Sequence, residues 1–398
     1  MIPVTEALDL ITKHTERLGV GSVEIGAAVG RVLAEDILAD SDLPPFDRSQ
    51  MDGYAIRSSD LGAGAANLNI VGESAAGRGW HHQMDRGEAV RIMTGAPVPD
   101  GADSVQKLEL ADETGDTVSF SGAVTPGLNI VPRGSEARSG DVVIKCGEIV
   151  SPNMISTIAA FGYGSVEVAS MPRAAIMSTG TEIVEIEEKP GLDQIRNSNS
   201  AMLQALSAKC GCQTRIFPVT GDDLDTLRSR IADAAENADI LMISGGVSVG
   251  KYDLTKVALR ELGADIHFEK VCLKPGKPAV FATLGKVLVF GLPGNPVSAA
   301  VTFYLFVRLA AMLLQGAANT RLREGFAQLA APVRAAKTRD TYLPAKLRTN
   351  DAGMLIAEPA RWQGSSDFIG FAEAESLIVV PQGKTLDAGD VAEIVFLA

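Results

Sequence analysis

The chain has 398 residues, of which 46% are hydrophobic and 21% charged, the balance of a folded globular protein and not of a disordered one. Because this length exceeds what one compact core of ordinary size holds, we expect several domains. The formal net charge of −13 argues against general binding to nucleic acid or anionic membranes, so an anionic ligand must be bound by local groups.

No secretory signal is predicted at the N-terminus, because it lacks a basic start followed by an apolar run. The longest apolar stretch, Val297 to Leu314, contains Tyr304 and Arg308 and is interpreted as a buried helix, not a membrane span. We therefore expect a cytoplasmic protein without membrane contact. The four cysteines lack zinc-site spacing and are interpreted as structural thiols.

Residues 1–44 carry helical periodicity, which ends at two consecutive prolines, and residues 45–132 alternate short β-type runs such as AVRIM and TVSF with turn residues. Residues 133–170 are mixed, with Pro152 opening a predicted helix. If that helix packs on the N-terminal one, residues 1–44 and 133–170 form a helical and mixed linker domain. Residues 45–132 are then an inserted β-rich domain.

From about residue 171 a pattern of strand, glycine turn and helix repeats, with helices predicted over Ser200 to Ala208, Asp222 to Ala235 and Asp253 to Leu262. This alternation predicts a multi-domain α/β chain in which residues 171–318 form a mostly parallel sheet with helices on both faces. Short strands return over 319–398 and predict a C-terminal β domain. Ligands of such sheets bind beyond the carboxyl ends of the strands.

A glycine-rich segment, SGGVSVGK, follows one of these strands and contains Gly245, Gly246 and Ser248. Its spacing fits neither a Walker loop nor a dinucleotide fingerprint. The paired glycines favour either close backbone contact with an anion or simply a tight turn. Asp253, at the start of the next helix, is explained equally well as an N-cap.

The segment LPGNPVS has an N-cap Asn295 followed by Pro296 at the first helical position. The helix start and the Ser298 hydroxyl favour a small oxyanion, although a well-capped core helix needs no ligand. In KPGKP, Lys274 and Lys277 stand three residues apart in a stiff turn. Such a pair suits an anion, and two solvated lysines are the alternative.

Three acidic side chains complete the set of candidate residues. Glu182 and Asp222 follow strands, where carboxylates beside phosphates suit Mg²⁺, although helix capping also explains Asp222. Asp52 stands in MDGYA and, taken alone, predicts an Asp-Gly turn.

Seven strings together resemble the molybdopterin molybdotransferase family, which includes the C-terminal domain of gephyrin. They occur in family order across nearly the full length: PPFDRSQMDGYAIR, RIMTGAPVPDGAD, STGTEIV, SGGVSVGKYDLTK, KPGKPAVF, GLPGNPVSA and WQGSSDF. The resemblance implies four domains, the last a β barrel, in a homodimer where the inserted β domain of one subunit completes the active site of the other.

The reaction implied by the resemblance converts adenylyl-molybdopterin and molybdate into molybdenum-molybdopterin and AMP, with Mg²⁺. Asp222 and Asp253 are the expected metal ligands. The resemblance places catalytic roles on Asp52, Thr94, Glu182, Asp222 and Asp253, and binding roles on Gly245, Gly246, Ser248, Lys274, Lys277, Pro293, Pro296, Ser298 and Ser365. A separate adenylyltransferase is the expected transient partner.

The chain departs from the family pattern at Ser135-Glu136, Thr181, Pro344 and Ile369-Gly370, chiefly on the molybdate side of the expected site. Two alternatives stay open. One is a molybdopterin adenylyltransferase, against which the extra β domains argue. The other is a non-catalytic binding or scaffold paralogue, against which the retained acidic residues argue.

Overall fold

A computed structural model describes residues 1–61, 67–122, 124–221, 223–246, 254–361 and 364–397. The chain divides into two compact units. The first comprises Met1–Glu35, Cys146–Ser151 and Ser165–Ala398, and the second comprises Asp36–Lys145 and Pro152–Gly164. The four-domain boundaries expected above remain a prediction.

The helices of the described residues are α1 (Val4–Lys13), α2 (Pro152–Ala160), α3 (Ser198–Lys209), α4 (Leu224–Glu236), α5 (Leu254–Glu261), α6 (Pro296–Leu314) and α7 (Phe368–Phe371). Helix α6 is α-helical over Pro296–Thr302 and Arg308–Leu314, with a π-helical turn over Phe303–Val307 between them. Short 3-10 turns cover Ile25–Ala27, Ser58–Asp60 and Leu108–Leu110.

A six-stranded sheet forms the centre of the first unit. Its strands lie in the order Gln213–Ile216, Arg173–Ser178, Ile240–Ser244, Val287–Leu292, Val280–Leu284 and Asp265–Phe268. The first four are parallel, and the strand Val280–Leu284 alone runs against its neighbours. The predicted α/β class is confirmed, with a mixed sheet.

Successive residues of the buried strands face opposite sides of the sheet, and each side carries its own helices. Ile176 and Met242 belong to the core that α1, α3 and α6 cover. Met177 and Ile243 belong to the core beneath α4 and α5. Both faces are therefore closed, and the open approach to the sheet is at the strand ends.

The C-terminal part of the first unit is a closed five-stranded barrel. Its strands follow in the order Asp340–Thr349, Leu355–Pro359, Glu324–Leu329, Val391–Phe396 and Ser376–Val380, which pairs again with Asp340–Thr349. A short strand, Leu273–Lys274, pairs in parallel with Asp340–Thr349 from outside. The first unit also contains three two-stranded pairings: Val20–Glu24 with Ser165–Ala169, Ile183–Val184 with Ile195–Arg196, and Val333–Arg334 with Thr385–Leu386.

The second unit is built on another six-stranded sheet, with apolar clusters on its two faces. Its strands lie in the order Ser104–Lys107, Gly53–Ile56, Glu88–Ile92, Leu68–Ser74, Thr117–Phe120 and Ala111–Thr114. The second unit also contains two small pairings, Ile37–Leu38 with Val142–Ile144 and Arg48–Ser49 with Ile130–Val131. The β-rich character expected for residues 45–132 is thus observed.

One local expectation was wrong. Helical periodicity does not continue after α1, because Val20–Glu24 is a strand paired with Ser165–Ala169. Helix α1 packs its buried Ala7 and Ile11 in the core shared with α6. The helix predicted at Pro152 is observed, and it belongs to the second unit.

Two other expectations were confirmed. Helix α6 is long and apolar enough to span a membrane, but 78% of its apolar window is buried in the structure, which is the environment of a core helix. Cys210 and Cys212 are also buried, and desolvation raises the pKa of their thiols to about 11 and about 12. They are therefore protonated core side chains at neutral pH.

Candidate functional site

Three parallel strands of the first unit end side by side, in a register that aligns Ser178, Ser244 and Leu292. A cleft of about 780 Å³ opens beyond these ends, a size suited to a small organic ligand. It is lined by Thr179, Glu182, Ile183, Pro190, Gln194, Ile195, Arg196, Asn197, Ser198, Asn199, Ser244, Gly245, Gly294, Asn295, Pro296, Ser366 and Phe368. The location is the one expected for a ligand site in an open α/β sheet.

Gly245 and Gly246 turn the chain sharply at the end of the central strand. Their φ angles are +94° and +64°, in the left-handed region that favours glycine. A Cβ on Gly245 would lie 2.4 Å from the carbonyl oxygen of Thr179, and one on Gly246 would lie 2.5 Å from Thr255 Oγ1. The turn therefore requires glycine for both conformation and space.

A buried polar network supports the floor of the cleft. Ser178 Oγ donates to Asn197 Oδ1 at 3.0 Å and lies 2.9 Å from Ser200 Oγ. The Asn197 side chain also accepts from the Ser200 amide and so caps α3. Asn199 Nδ2 donates to Ser244 Oγ and to the Gly294 carbonyl, each at 2.8 Å. These bonds tie the start of α3 to two strand ends.

Two oxygens of the lining side chains have no hydrogen-bond partner in the described structure, although both are buried. They are Thr179 Oγ1 and Asn199 Oδ1. Buried polar groups are nearly always hydrogen-bonded, so these two oxygens are exceptions among the side chains around the cleft.

The start of α6 is held by the segment that leads into α7. Val297 N donates to the Ser365 carbonyl at 3.1 Å, and Asn295 Nδ2 donates to Ser365 Oγ at 2.7 Å. Asn295 is the N-cap residue as predicted, but its side chain does not cap the helix. Because the Val297 amide is already bonded, fewer free amides than expected remain there for an anion.

The predicted lysine turn packs against α6 but does not line the cleft. A Cβ on Gly276 would lie 2.7 Å from Thr302 Cγ2, and Thr302 Oγ1 in turn donates to the Ser298 carbonyl. Lys274 is exposed and Lys277 half-buried. The turn is therefore placed one helical turn from Ser298, which is itself buried just behind the cleft.

Other binding candidates are distributed around this edge. Glu182, Gly245 and Pro296 line the cleft, and the carboxylate of Glu182 lies over Gly180. Pro293 connects the strand end at Leu292 to the lining residue Gly294.

Asp222, Ser248 and Asp253 fall outside the described residues, so their placement stays a prediction. Among the residues that the structure does describe, no group of three or more His, Cys, Asp or Glu side chains could hold a metal ion. Asp223, the neighbour of Asp222, is the residue that caps α4, by accepting from the Thr226 amide.

Asp52 and Thr94 form a pair in the second unit. Asp52 Oδ1 accepts from the Thr94 amide at 2.7 Å and from Thr94 Oγ1 at 2.8 Å. Both bonds favour the charged carboxylate, and the amide bond is the larger of the two effects that hold the pKa of Asp52 below its ordinary value. Beyond the predicted Asp-Gly turn, the Asp52 carboxylate is therefore ionised and held in one orientation by Thr94.

The positions that depart from the family pattern lie either in ordinary structural contacts or on the surface. Glu136 forms an ion pair with Arg48 at 3.1 Å. Pro344 lies in a barrel strand, and Lys346 beside it is ion-paired with Glu373. Thr181 is exposed, and Ile369 is 77% exposed at the start of α7.

Sequence reasoning missed Thr179, Asn197 and Asn199. The signal available was a run of four small polar residues, Asn-Ser-Asn-Ser, at the start of α3 in an otherwise apolar domain. Such runs usually indicate only a helix cap.

Three family models match this chain over most of its length. They are described as the MoeA N-terminal region (domain I and II), over residues 2–162, a probable molybdopterin binding domain, over 175–312, and the MoeA C-terminal region (domain IV), over 327–397.

Curated relatives match along the whole chain. A molybdopterin molybdenumtransferase of Staphylococcus aureus (strain COL) is 33% identical over 99% of this chain and 95% of its own. One of Staphylococcus epidermidis is 32% identical over the same shares. The crystal structure of a molybdopterin biosynthesis moeA protein from Pyrococcus horikoshii OT3 is similar with a TM-score of 0.83, 28% identity and full coverage of both chains.

Proposed function

Because the chain belongs to the MoeA family of molybdopterin molybdenumtransferases, we propose that it uses adenylyl-molybdopterin and molybdate as substrates and Mg²⁺ as cofactor. As a member it is a transferase of molybdenum cofactor biosynthesis that inserts molybdenum into molybdopterin. The observation that carries the proposal is the cleft beyond the parallel strand ends, within the region matched by the molybdopterin binding domain.

The pterin part of the substrate occupies this cleft. Its volume of about 780 Å³ suits a ligand of this size, and the bare backbone at Gly245 and Gly246 permits close approach. Pro296, at the first position of α6, lines the cleft, and Pro293 precedes the lining residue Gly294. Ser248, in the same glycine-rich segment, keeps the binding role that the family resemblance gives it.

Molybdate binds between the lysine turn, which packs on Thr302, and the start of α6 one helical turn away. Lys274 and Lys277 supply positive charge, and Ser298 and Ser365 at the helix start supply hydroxyl groups. In a chain of net charge −13, this turn gives the dianion a local site of attraction. The dithiolene sulfurs of molybdopterin bond to molybdenum while one molybdate oxygen leaves as water with the two thiol protons, so the protein supplies no nucleophile of its own.

The donor chemistry of the cleft fits Mg²⁺. Its lining within the described ranges offers carboxylate, amide and hydroxyl oxygens and neither thiol nor imidazole, the set that a hard cation prefers. Glu182 would contribute to holding the ion, together with Asp222 and Asp253. When bound, the ion supplies the charge that polarises the substrate's bridging phosphate.

The active protein is a cytoplasmic homodimer with a shared site. Asp52 and Thr94 belong to a compact unit different from that of the cleft, which agrees with their acting on the partner's substrate. The adenylylated substrate comes from a separate adenylyltransferase by transient contact.

The decisive assay supplies purified protein with adenylyl-molybdopterin, Mg²⁺ and molybdate, and measures AMP and cofactor-bound molybdenum. We expect AMP release that depends on molybdate. The proposed substrates would be refuted by AMP release independent of molybdate, or by none. Formation of adenylyl-molybdopterin from ATP and molybdopterin would instead indicate an adenylyltransferase.

A further inference from the structure

The carboxylate of Glu182 reaches the cleft without a polar partner. Glu182 lines the cleft and is exposed. Within the ranges that the structure describes, its carboxylate oxygens make no hydrogen bond and no ion pair. Both oxygens therefore remain available to a donor or a cation. Their position is set by the packing of the side chain and by the backbone that carries it.

The carboxylate packs on the backbone of Gly180, two residues earlier. A Cβ on Gly180 would lie 2.5 Å from Glu182 Oε2, 2.6 Å from Oε1 and 2.8 Å from Cδ. All three distances are shorter than the roughly 3.5 Å of ordinary contact between heavy atoms. The carboxylate therefore occupies the space that any side chain at position 180 would fill.

Backbone hydrogen bonds fix the chain on both sides of this contact. The Gly180 amide donates to the Thr220 carbonyl at 3.1 Å, and the Gly180 carbonyl accepts from the Ile183 amide at 3.3 Å. The Glu182 carbonyl accepts from the Ile195 amide at 2.8 Å. Because the backbone cannot shift without breaking such bonds, an added Cβ would displace the flexible side chain of Glu182 instead.

The backbone conformation at Gly180 makes a second, separate demand for glycine. Its φ is +144°, in a region that residues with a side chain rarely adopt. Conformational strain at this position acts on the stability of the fold, whereas the contact with the carboxylate acts on the position of Glu182. The two effects can therefore be separated by changing the side chain at position 182.

We propose that Gly180 is a positioning residue for Glu182, because its missing side chain leaves the space in which the carboxylate lies at the edge of the cleft. Any larger residue at position 180 would displace the carboxylate from the strand end. The inference rests on the proposed function, in which Glu182 acts in the reaction.

The first test is Gly180→Ala, assayed by molybdate-dependent AMP release. We expect kcat to fall roughly tenfold or more, since misplacement by about 1 Å can cost about a hundredfold. The KM for adenylyl-molybdopterin should change little. A crystal structure of the variant should show the Glu182 carboxylate moved away from residue 180, and an unmoved carboxylate would overturn the proposal.

Glu182→Asp separates the positioning effect from strain. Its carboxylate is one methylene shorter and so withdraws from the space over residue 180. Adding Gly180→Ala to this variant should lower kcat further by about twofold at most, because the contact is already gone. The melting temperature should fall equally in both backgrounds, since the strain is the same. Equal fold-losses of kcat in the two backgrounds would show independent effects and refute the positioning role.

Gly263→Ala is the matched control for strain. Gly263 has a φ of +79° and nothing within 4 Å of its Cβ. We expect a lower melting temperature with unchanged kcat. A loss of kcat as large as that of Gly180→Ala would show that strain alone accounts for the effect.

The proposed function and this inference fail in different ways. Failure of the unmodified protein to release AMP would refute the proposed function itself. The crystal structure of Gly180→Ala requires no activity, so it tests the position of the Glu182 carboxylate in either case.

Discussion

Two hydrogen bonds from one neighbour, Thr94, lower the pKa of the Asp52 carboxylate. The folded-state pKa of Asp52 is lowered, so the stabilisation that this pair contributes is complete at neutral pH, above the ordinary aspartate pKa. It is lost as the pH falls through the lowered folded-state value. The stabilisation by the Asp52–Thr94 hydrogen bonds is therefore constant over the physiological pH range.

We predict that Thr94→Val raises the pKa of Asp52 towards its ordinary value, because the hydroxyl bond is lost while the amide bond stays. Carboxyl titration by NMR measures the change. Asp223, whose pKa is lowered by its bonds from Thr226, serves as the internal control and should titrate as before. An unchanged pKa of Asp52 would mean that the bond from the Thr94 amide alone lowers it.

Gly245→Ala is predicted to destabilise the protein by about 2–6 kcal/mol, the combined range for backbone strain and overpacking. The added Cβ meets a backbone oxygen of Thr179, which cannot swing away as a side chain could. Gly263→Ala is the control, because Gly263 has a φ of +79° but nothing within 4 Å of its Cβ. It should cost only about 1–2 kcal/mol in denaturant unfolding. Equal costs would show that contact with Thr179 is unimportant.

At the scale of elements, helix α3 determines one wall of the cleft through its first turn. Asn197 caps the helix, and Asn199 ties it to two neighbouring strand ends. The position of this wall therefore depends on the hydrogen bonds that hold the start of α3.

We predict that Asn197→Ala lowers the free energy of unfolding by about 1–2 kcal/mol, the usual cost of losing an N-cap. It should also weaken molybdopterin binding, because the loosened turn carries Ser198 and Asn199. Gln204→Ala, an exposed change in the middle of the same helix, should alter neither quantity. Full affinity in the Asn197 variant would mean that the wall does not depend on the cap.

The lysine turn is an element shared between the barrel and α6. We predict that Lys274→Ala raises the molybdate concentration required for turnover by about tenfold, since it removes a charged contact, and changes molybdopterin affinity little. Lys286→Ala, at a lysine whose side chain is 95% exposed, is the control and should change neither. Equal losses for both substrates would contradict the separate molybdate site.

Some elements could not be predicted, for identifiable physical reasons. The bounds of the strand Glu324–Leu329 could not be predicted, because Phe326 on it is 72% exposed and the apolar alternation that marks a strand is reversed there. The antiparallel pairing of Val280–Leu284 with Val287–Leu292 follows from a two-residue connection, which cannot cross over to a parallel strand.

The candidate site was predictable where backbone conformation demands particular residues. Paired glycines and an Asn-Pro helix start can be predicted from sequence, because few other residues fit those positions. Thr179 and Asn199 were not, because what distinguishes them is a missing hydrogen bond inside a fold, and sequence does not show burial of single atoms.

At the scale of the whole molecule, the proposed shared site makes a prediction about mixed dimers. Asp52→Asn and Glu182→Gln should each be inactive alone. When equal amounts are unfolded and refolded together, about one quarter of the wild-type activity should return, because half of the dimers contain one intact composite site of two. Mixing without subunit exchange is the control. Absence of recovery in proven heterodimers would place both residues in one subunit's site.

The strand Leu273–Lys274 couples the position of the lysine turn to that of the barrel. Its backbone is hydrogen-bonded to the barrel, and the turn that follows it is seated on α6. A displacement of the barrel strand Asp340–Thr349 would therefore be transmitted through this pairing to Lys274, and through the turn to Lys277.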